Sequence, residues 1–451
     1  MTRSYEEAER LLQRHYGHAA FRPVQGRVIR SVLEGHDVLA VLPTGGGKSV
    51  CFQVPALASR GLCLVVSPLI SLMQDQVGGA RLRGISAAAF HSALSADDAA
   101  AALRDAAAGR LTLLYTSPER LPRLGRELVA AGAGIALLAI DEAHCISEWG
   151  HDFRPEFRAI GAVRASLGNP QTVALTGSAT PPVRQDIARV LGLGAGRPAG
   201  ARIHVASFDR RNLRFEARQV RSERERFDAL LSLLSRGETA IVYAPTRKAT
   251  ETLALALRHA GHRAAPYHAG LDSEMRAEVL DDFLEDRTAV VVATSAFGMG
   301  IDKPGVRRVV HWSMPPTPES YYQEAGRAGR DGAAARCVLL VRRGDAVLHR
   351  RQLAVTFPDR KLLQALWSGR QDPARVAANV RESAERLRAE LRPADRDPDW
   401  ARVAARRQAA ERRIDTMWRY ATGRRCRRAA LLDYFGERLT RCAGCDRCLR
   451  K

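Results

Sequence analysis

Short apolar runs recur along the first three quarters of the chain, each closed by Gly, Pro, Ser or a charged turn. VLAVL (38–42), LCLVVS (62–67), LTLLYT (111–116), LLAID (137–141) and TVALTG (172–177) form a first set. AIVYAP (240–245), AVVVAT (289–294), VRRVVHW (306–312) and CVLLV (337–341) form a second. Short runs rich in Val and Leu, without an alternating polar face, predict strands buried on both sides of a parallel sheet. Segments with helical spacing lie between them, such as 96–108 and 249–259. This alternation predicts a doubly wound α/β fold. The stretch LGLGAGRPAGAR (191–202) separates the sets and reads as a linker or loop. We therefore place one α/β domain at 1–205 and a second at 206–344. Residues 345–451 differ: they are Arg-rich, helical in spacing and interrupted by RPADRDPD (392–399). No repeat of solenoid period is present.

Composition adds direction. The chain has 451 residues, 46% of them hydrophobic, enough for two or three packed domains. No apolar run is long enough to span a bilayer, and the opening MTRSYEEAERLLQRHYGH lacks an apolar signal core. The expectation is a soluble cytoplasmic protein. Lys and Arg number 70 against 49 Asp and Glu, for a net charge of +21. That excess points to a polyanionic partner. Lysine occurs only at Lys48, Lys248, Lys303, Lys361 and Lys451, so arginine carries the charge. Coding bias explains arginine over lysine but not the excess over acids.

Candidate chemistry begins at PTGGGKS (43–49). Thr44, Gly45, Gly46 and Gly47 let the backbone wrap a phosphate, and the following helix N-terminus faces the anion. Lys48 would reach the β- and γ-phosphates, and Ser49 would hold Mg²⁺. Leu42 stands where the strict pattern has glycine. LLAIDEAH (137–144) then ends a strand in two carboxylates, Asp141 for the metal and Glu142 for the attacking water. The pairing of loop and acids points to ATP hydrolysis. YYQEAGRAGRDG (321–332) places Arg327 and Arg330 on one face of a helix start. Phosphoryl transfer needs cations there, and ones brought from a second domain would complete the site on closure.

Of eight cysteines, Cys51, Cys63 and Cys337 sit in apolar runs and read as small buried hydrophobes. Cys426, Cys442, Cys445 and Cys448 cluster, the last three as CAGCDRC. Four thiolates at this spacing suit tetrahedral Zn²⁺ or an iron–sulfur cluster.

Taken in order, these motifs resemble those of superfamily 2 helicases, and specifically the RecQ family of DNA helicases. FRPVQ (21–25) is similar to the adenine-reading motif, PTGGGKS to motif I and VVSPLISLMQDQ (65–76) to motif Ia. LYTSPERL (114–121) resembles the next element. DEAHCISEWGHDFRPEF (141–157) resembles motif II with the family's aromatic-rich loop, and GSAT (177–180) motif III. VVATSAFGMGIDKPGVRRVVHW (291–312) resembles motif V, and YYQEAGRAGRDG motif VI.

The resemblance implies two tandem RecA-like doubly wound domains and a small helical zinc-binding subdomain. It favours structural Zn²⁺ at Cys426, Cys442, Cys445 and Cys448, since CRRAALLDYFGE (426–437) is similar to the family's zinc segment. It places Arg22 and Gln25 at the adenine, with His18 where relatives often have an aromatic ring. Gly300 and Asp302 fall at the nucleotide ribose, and Gln323 joins Arg327 and Arg330 in catalysis. DNA contacts would come from Trp149, His151, Phe153 and Arg154 in the aromatic loop, with Ser67, Ser71, Arg247, His268 and Thr294 on the backbone. Ser178 replaces the family's usual threonine.

The implied activity is ATP-driven 3′ to 5′ movement on single-stranded DNA, unwinding duplex or branched DNA in recombination and repair. The protein is expected to act as a monomer at the bacterial nucleoid, with single-stranded-DNA-binding or other repair proteins as partners. Ending three residues after Cys448, the chain is expected to be a short form, without the winged helix and further helical domain of longer relatives. Segment 374–392 reads as a basic amphipathic helix, either packed or bound to DNA in place of the wing. Two other readings stay open: an RNA-directed or non-unwinding translocase, and a nucleic-acid-binding scaffold switched by ATP.

Overall fold

The nine apolar runs are the interior strands of two parallel sheets, and each sheet is completed at its edges by strands that carry no such run. The computed structural model describes residues 4–43, 45–59, 61–298, 303–391 and 398–449. In the first sheet the strands are β1 (Asp37–Val41), β2 (Leu62–Val66), β3 (Ala87–Phe90), β4 (Leu113–Thr116), β5 (Ile135–Ile140), β6 (Gln171–Thr176) and β7 (Ala201–Val205). Their order is β3-β4-β2-β5-β6-β1-β7. The second sheet contains β8 (Leu213–Gln219), β9 (Ala240–Tyr243), β10 (Ala264–Tyr267), β11 (Val290–Ala293), β12 (Arg308–His311) and β13 (Ala335–Val341), in the order β10-β11-β9-β12-β13-β8. All registered neighbours run parallel.

The chain folds as two units. The first runs to Phe208 and takes in Phe435–Glu437; the second takes Asp209–Gly298, Lys303–Tyr434 and the chain from Arg438. In the first, β1, β2, β4, β5 and β6 bury Val38, Ala40, Val65, Leu113, Tyr115, Leu137, Val173 and Leu175 against Phe52 and Met73. In the second, β9, β11, β12 and β13 bury Val242, Val292, Val310 and Val338 against Leu230, Leu253 and Leu257.

The segment read as a linker is more ordered than its composition suggests. Residues 201–205 are β7, paired along the whole length of β1. The glycine-rich residues before it are pinned by a buried charge. Asp37 is fully buried at the start of β1 and accepts from Gly194 N at 2.8 Å and Thr172 N at 2.9 Å. Its carboxylate meets Arg164 at 2.6 Å and Arg197 at 2.8 Å. Arg164 in turn donates to Leu191 O and Gly192 O. A buried carboxylate is tolerated because three hydrogen bonds and a second arginine's charge compensate it.

Residues after β13 form helices Arg343–Thr356, Arg360–Trp367, Ala378–Leu391, Trp400–Thr422 and Arg427–Tyr434. The amphipathic segment begins later than expected, at Ala378, after a short 3₁₀ turn at Pro373–Arg375. It buries Ala384, Leu387 and Leu391, and Glu390 pairs with Arg406 at 2.6 Å. That face is packed against its own unit. No helix among the described residues is long and apolar enough to cross a membrane.

Candidate active site and cysteine cluster

Beyond β1 the chain stays apolar for one more residue. Leu42 is buried in the core, which accounts for its standing where a strict phosphate loop has glycine. Residues 45–49 then lead into the helix Val50–Ser59. Gly47 has φ +71°, a backbone conformation that strains any residue with a Cβ, and a Cβ there would displace the Gln25 amide. Gln25 donates to Gly46 O and Gly47 O at 3.1 Å each and accepts from Arg22 N at 2.9 Å. Arg22 donates to Gly45 O. His18 is exposed just ahead of them. Thr44, Gly300 and Asp302 lie outside the described residues.

A second layer holds Ser49. Gln76 Nε2 donates to Ser49 Oγ at 3.0 Å, and Gln53 Nε2 donates to Gln76 Oε1 at 3.3 Å and to Tyr115 OH at 2.9 Å. Tyr16 OH donates to Gln53 Oε1. The sequence assigned none of these four a role. Two glutamines and two tyrosines are unremarkable until the fold brings them behind the hydroxyl.

The carboxylates follow β5. Asp141 N donates to Val66 O, and Glu142 N donates to Asp141 Oδ1, both at 2.9 Å. Lys48 Nζ lies 2.5 Å from Glu142 Oε1 and 3.8 Å from Asp141 Oδ1. Glu142 has a left-handed backbone, φ +48°, which turns its side chain back toward the lysine. On its other side His144 Nδ1 lies 3.2 Å from Glu142 Oε2 and 3.0 Å from Thr176 Oγ1. Burial disfavours the Glu142 anion, but Lys48 and His144 outweigh it and hold its carboxyl well below the usual range. Burial also disfavours charge on His144, yet Cys145 and Glu142 raise its pKa to about 10. At Asp141 burial wins over Lys48, and its carboxyl is pushed up.

The aromatic loop touches this centre. His151 stacks on His144 with ring centroids 4.7 Å apart and planes 13° from parallel. Arg154 Nη1 donates to Pro68 O at 3.2 Å, tying the loop to motif Ia. Trp149 is 38% exposed, and His151, Phe153 and Arg154 are half-buried, while Phe157 is wholly in the core. Ser71 is exposed; Ser67 is buried at the end of β2.

In the second unit Arg247 is exposed at the start of the helix Arg247–His259, and Thr294 is half-buried after β11. His268 is buried, its Nε2 3.0 Å from Glu251 and its Nδ1 accepting from Gly270 N at 3.2 Å. The motif VI arginines depart from the sequence reading. The helix Pro318–Ala325 carries half-buried Gln323 and stops at Gly326, so Arg327 and Arg330 stand on the turn beyond it. Two glycines in four residues, Gly329 with φ +56°, break the helix there. Arg327 is 8% exposed, and among the described residues its Nε and Nη1 have no hydrogen-bond partner. A guanidinium buried in that way suits an anion's oxygens.

The sulfurs of Cys426, Cys442, Cys445 and Cys448 lie within 4.8 Å of one another. Cys445 Sγ is 3.8 Å from Cys426 Sγ. Sulfurs bonded to one tetrahedral zinc at 2.3 Å would be about 3.8 Å apart. Gly444 N donates to Cys442 Sγ at 3.4 Å, the kind of N–H···S contact that favours thiolate. The four residues fit structural Zn²⁺, with no position left for a substrate.

Three family descriptions match in succession: DEAD/DEAH box helicase over residues 22–188, helicase conserved C-terminal domain over 225–332 and RecQ zinc-binding over 381–449. The chain is 37% identical over 440 residues to the ATP-dependent DNA helicase RecQ of Haemophilus influenzae, an alignment covering 97% of this chain and 63% of that one. It is 40% identical over 342 residues to the probable ATP-dependent DNA helicase RecS of Bacillus subtilis, covering 75% and 67%. The chain thus spans just under two thirds of the Haemophilus relative's length. Among solved structures it resembles the DUF1998 helicase MrfA bound to DNA, with a TM-score of 0.62 and 19% identity over 77% of this chain and 52% of that one; this likeness concerns the fold alone.

Proposed function

The chain belongs to the RecQ family of superfamily 2 helicases, and on that premise we propose that it hydrolyses ATP to move 3′ to 5′ along single-stranded DNA and unwind duplex or branched DNA. Lys48 and the amides of Gly45, Gly46 and Gly47 bind the phosphates, and Ser49 and Asp141 hold Mg²⁺, which when bound draws charge from the phosphoryl oxygens. Glu142, kept anionic between Lys48 and His144, orients the attacking water and takes its proton. Gln323, Arg327 and Arg330 supply donors and positive charge for the transferring group. Arg22 and Gln25 read the adenine, with His18 beside them, and Gly300 and Asp302 meet the ribose. The substrate puts the protein in the bacterial cytoplasm, at the nucleoid, in recombination and repair.

One observation carries the coupling of DNA to ATP. Glu142, His144 and His151 are in continuous contact, so a base on the aromatic loop has a short physical route to the catalytic acid. Trp149, Phe153 and Arg154 stack and pair with the strand, and Ser67, Ser71, Arg247 and Thr294 meet its phosphates, with His268 shaping the turn beneath. Trp149→Ala is expected to leave ATP affinity intact and to lower DNA-stimulated hydrolysis by roughly 10-fold, the worth of about one stacked base. Undiminished stimulation in steady-state assays would remove the relay.

The activity itself is tested by strand separation on 3′-tailed and 5′-tailed duplexes of DNA and of RNA, with Lys48→Ala as control. Opening of the 3′-tailed DNA substrate alone, lost in the control, is the expected result. Opening of RNA or of 5′ tails, or none at all, contradicts it. Salt should be varied, because phosphate-driven binding falls steeply as it rises.

A further inference from the structure

The turn that bears Arg327 and Arg330 lies outside any helix, and its shape is held by side chains from the segment before β8. Arg210 donates from Nη1 to Gly326 O at 3.3 Å, and from Nη2 to Ala328 O at 3.1 Å and Gly329 O at 2.9 Å. Asn212 Nδ2 donates to Gly329 O at 2.8 Å and Ala333 O at 2.9 Å. The carbonyls that Arg210 grips are those flanking Arg327 and the one preceding Arg330. Only a planar fork of N–H groups can reach three carbonyls in this way; a lysine offers its donors from one point. Gly329 completes the fit, since a Cβ there would lie 2.5 Å from Asn212 Nδ2.

The brace is itself anchored. Arg428, 1% exposed, donates from Nη1 to Arg210 O at 2.9 Å and pairs with Asp209. It sits two residues after Cys426, at the start of the helix Arg427–Tyr434. Cys445 bridges to Phe215 on β8, and Asp446 N donates to Phe215 O at 3.1 Å. The cysteine cluster and the arginine turn are therefore fastened to the same short stretch, 209–215.

The geometry points to Arg210 as a positioning residue for Arg327 and Arg330. It fixes the peptides that carry them, so that the guanidinium groups need no rearrangement when charge develops on the phosphoryl oxygens. Arg428 holds Arg210 in register and makes the cysteine cluster part of that support. The inference rests on the proposed role of the motif VI arginines in hydrolysis.

The test is steady-state ATP hydrolysis by the full chain at saturating single-stranded DNA, with Arg210→Ala, Arg210→Lys, Arg330→Ala and the double variant Arg210→Ala/Arg330→Ala. Arg330→Ala should lower kcat by about 10³-fold, as expected for loss of a transition-state arginine. Arg210→Ala should lower kcat by roughly 10²-fold through misplacement, with KM for ATP unchanged within about threefold. Arg210→Lys should fall between it and the parent. The double variant should lose less than the product of the two single losses, because part of the effect of Arg210 passes through Arg330. Zinc content and melting temperature should match the parent. A kcat for Arg210→Ala within about threefold of the parent overturns the inference, and so do losses that multiply in the double variant. If Arg210→Ala does not fold, Arg210→Lys enters the same comparison. If Arg330→Ala turns over normally, the arginine reading has failed first and the positioning role falls with it.

Discussion

Glu142→Gln should leave ATP bound and almost unhydrolysed. The substitution keeps the side chain's shape and one oxygen facing Lys48, but it removes the charge that orients water and the site that receives its proton. Loss of a general base typically costs about 10²–10⁴-fold in kcat. Binding should survive, because Lys48 stays within 3.8 Å of Asp141 and the loop contacts of Gln25 and Arg22 are untouched. His144 loses its anionic neighbour while keeping Thr176, so local packing persists. Single-turnover hydrolysis beside equilibrium nucleotide binding separates the two effects. Turnover within about threefold of the parent would show that another group does the work.

The second large effect is expected at the cysteines. Cys445 is the fully buried member of the four, and its neighbour Asp446 accepts from Arg427 at 3.0 Å. Cys445→Ala removes one thiolate from a closed set, and three ligands hold zinc far less tightly. Structural zinc binding is worth about 10–16 kcal/mol in small domains, comparable to the whole stability of a fold. A fall of about 10 °C or more in the melting temperature of the second unit corresponds to roughly 4 kcal/mol. Metal analysis and thermal unfolding, with and without chelator, read both quantities. A variant that loses its zinc and melts as the parent does would show the cluster to be dispensable for folding.

The sequence disclosed the strands whose physics is two-sided. Interior strands such as β2 and β5 are buried on both faces and read as unbroken apolar runs. The four strands it missed, β3, β7, β8 and β10, are the four sheet edges. Their sequences, AAAF, ARIHV, LRFEARQ and AAPY, are small, charged or interrupted by proline, as suits the edge of a sheet. The candidate site divides in the same way. Lys48, Asp141 and Glu142 were legible because each follows a buried strand in a short chemical motif. The stacking of His151 on His144, the glutamine pair behind Ser49 and the grip of Arg210 were not. The last of these joins residues 116 or more apart in sequence, and single-sequence patterns carry no sign of such pairings.

The left-handed backbone of Glu142 also bears on how this protein tolerates change. Among the described residues, the other non-glycine positions with positive φ are Asn169 and Asp286, side-chain types that accept that conformation readily. Glutamate does not, and a left-handed residue with a Cβ gives up about 1–2 kcal/mol relative to glycine. Glycine or asparagine at 142 would release that strain, but it would also strip Lys48 and His144 of the anion they share. The strained turn is thus held by the same ion pairs that make the acid useful, and thermostabilising this motor requires a selection that keeps turnover in view.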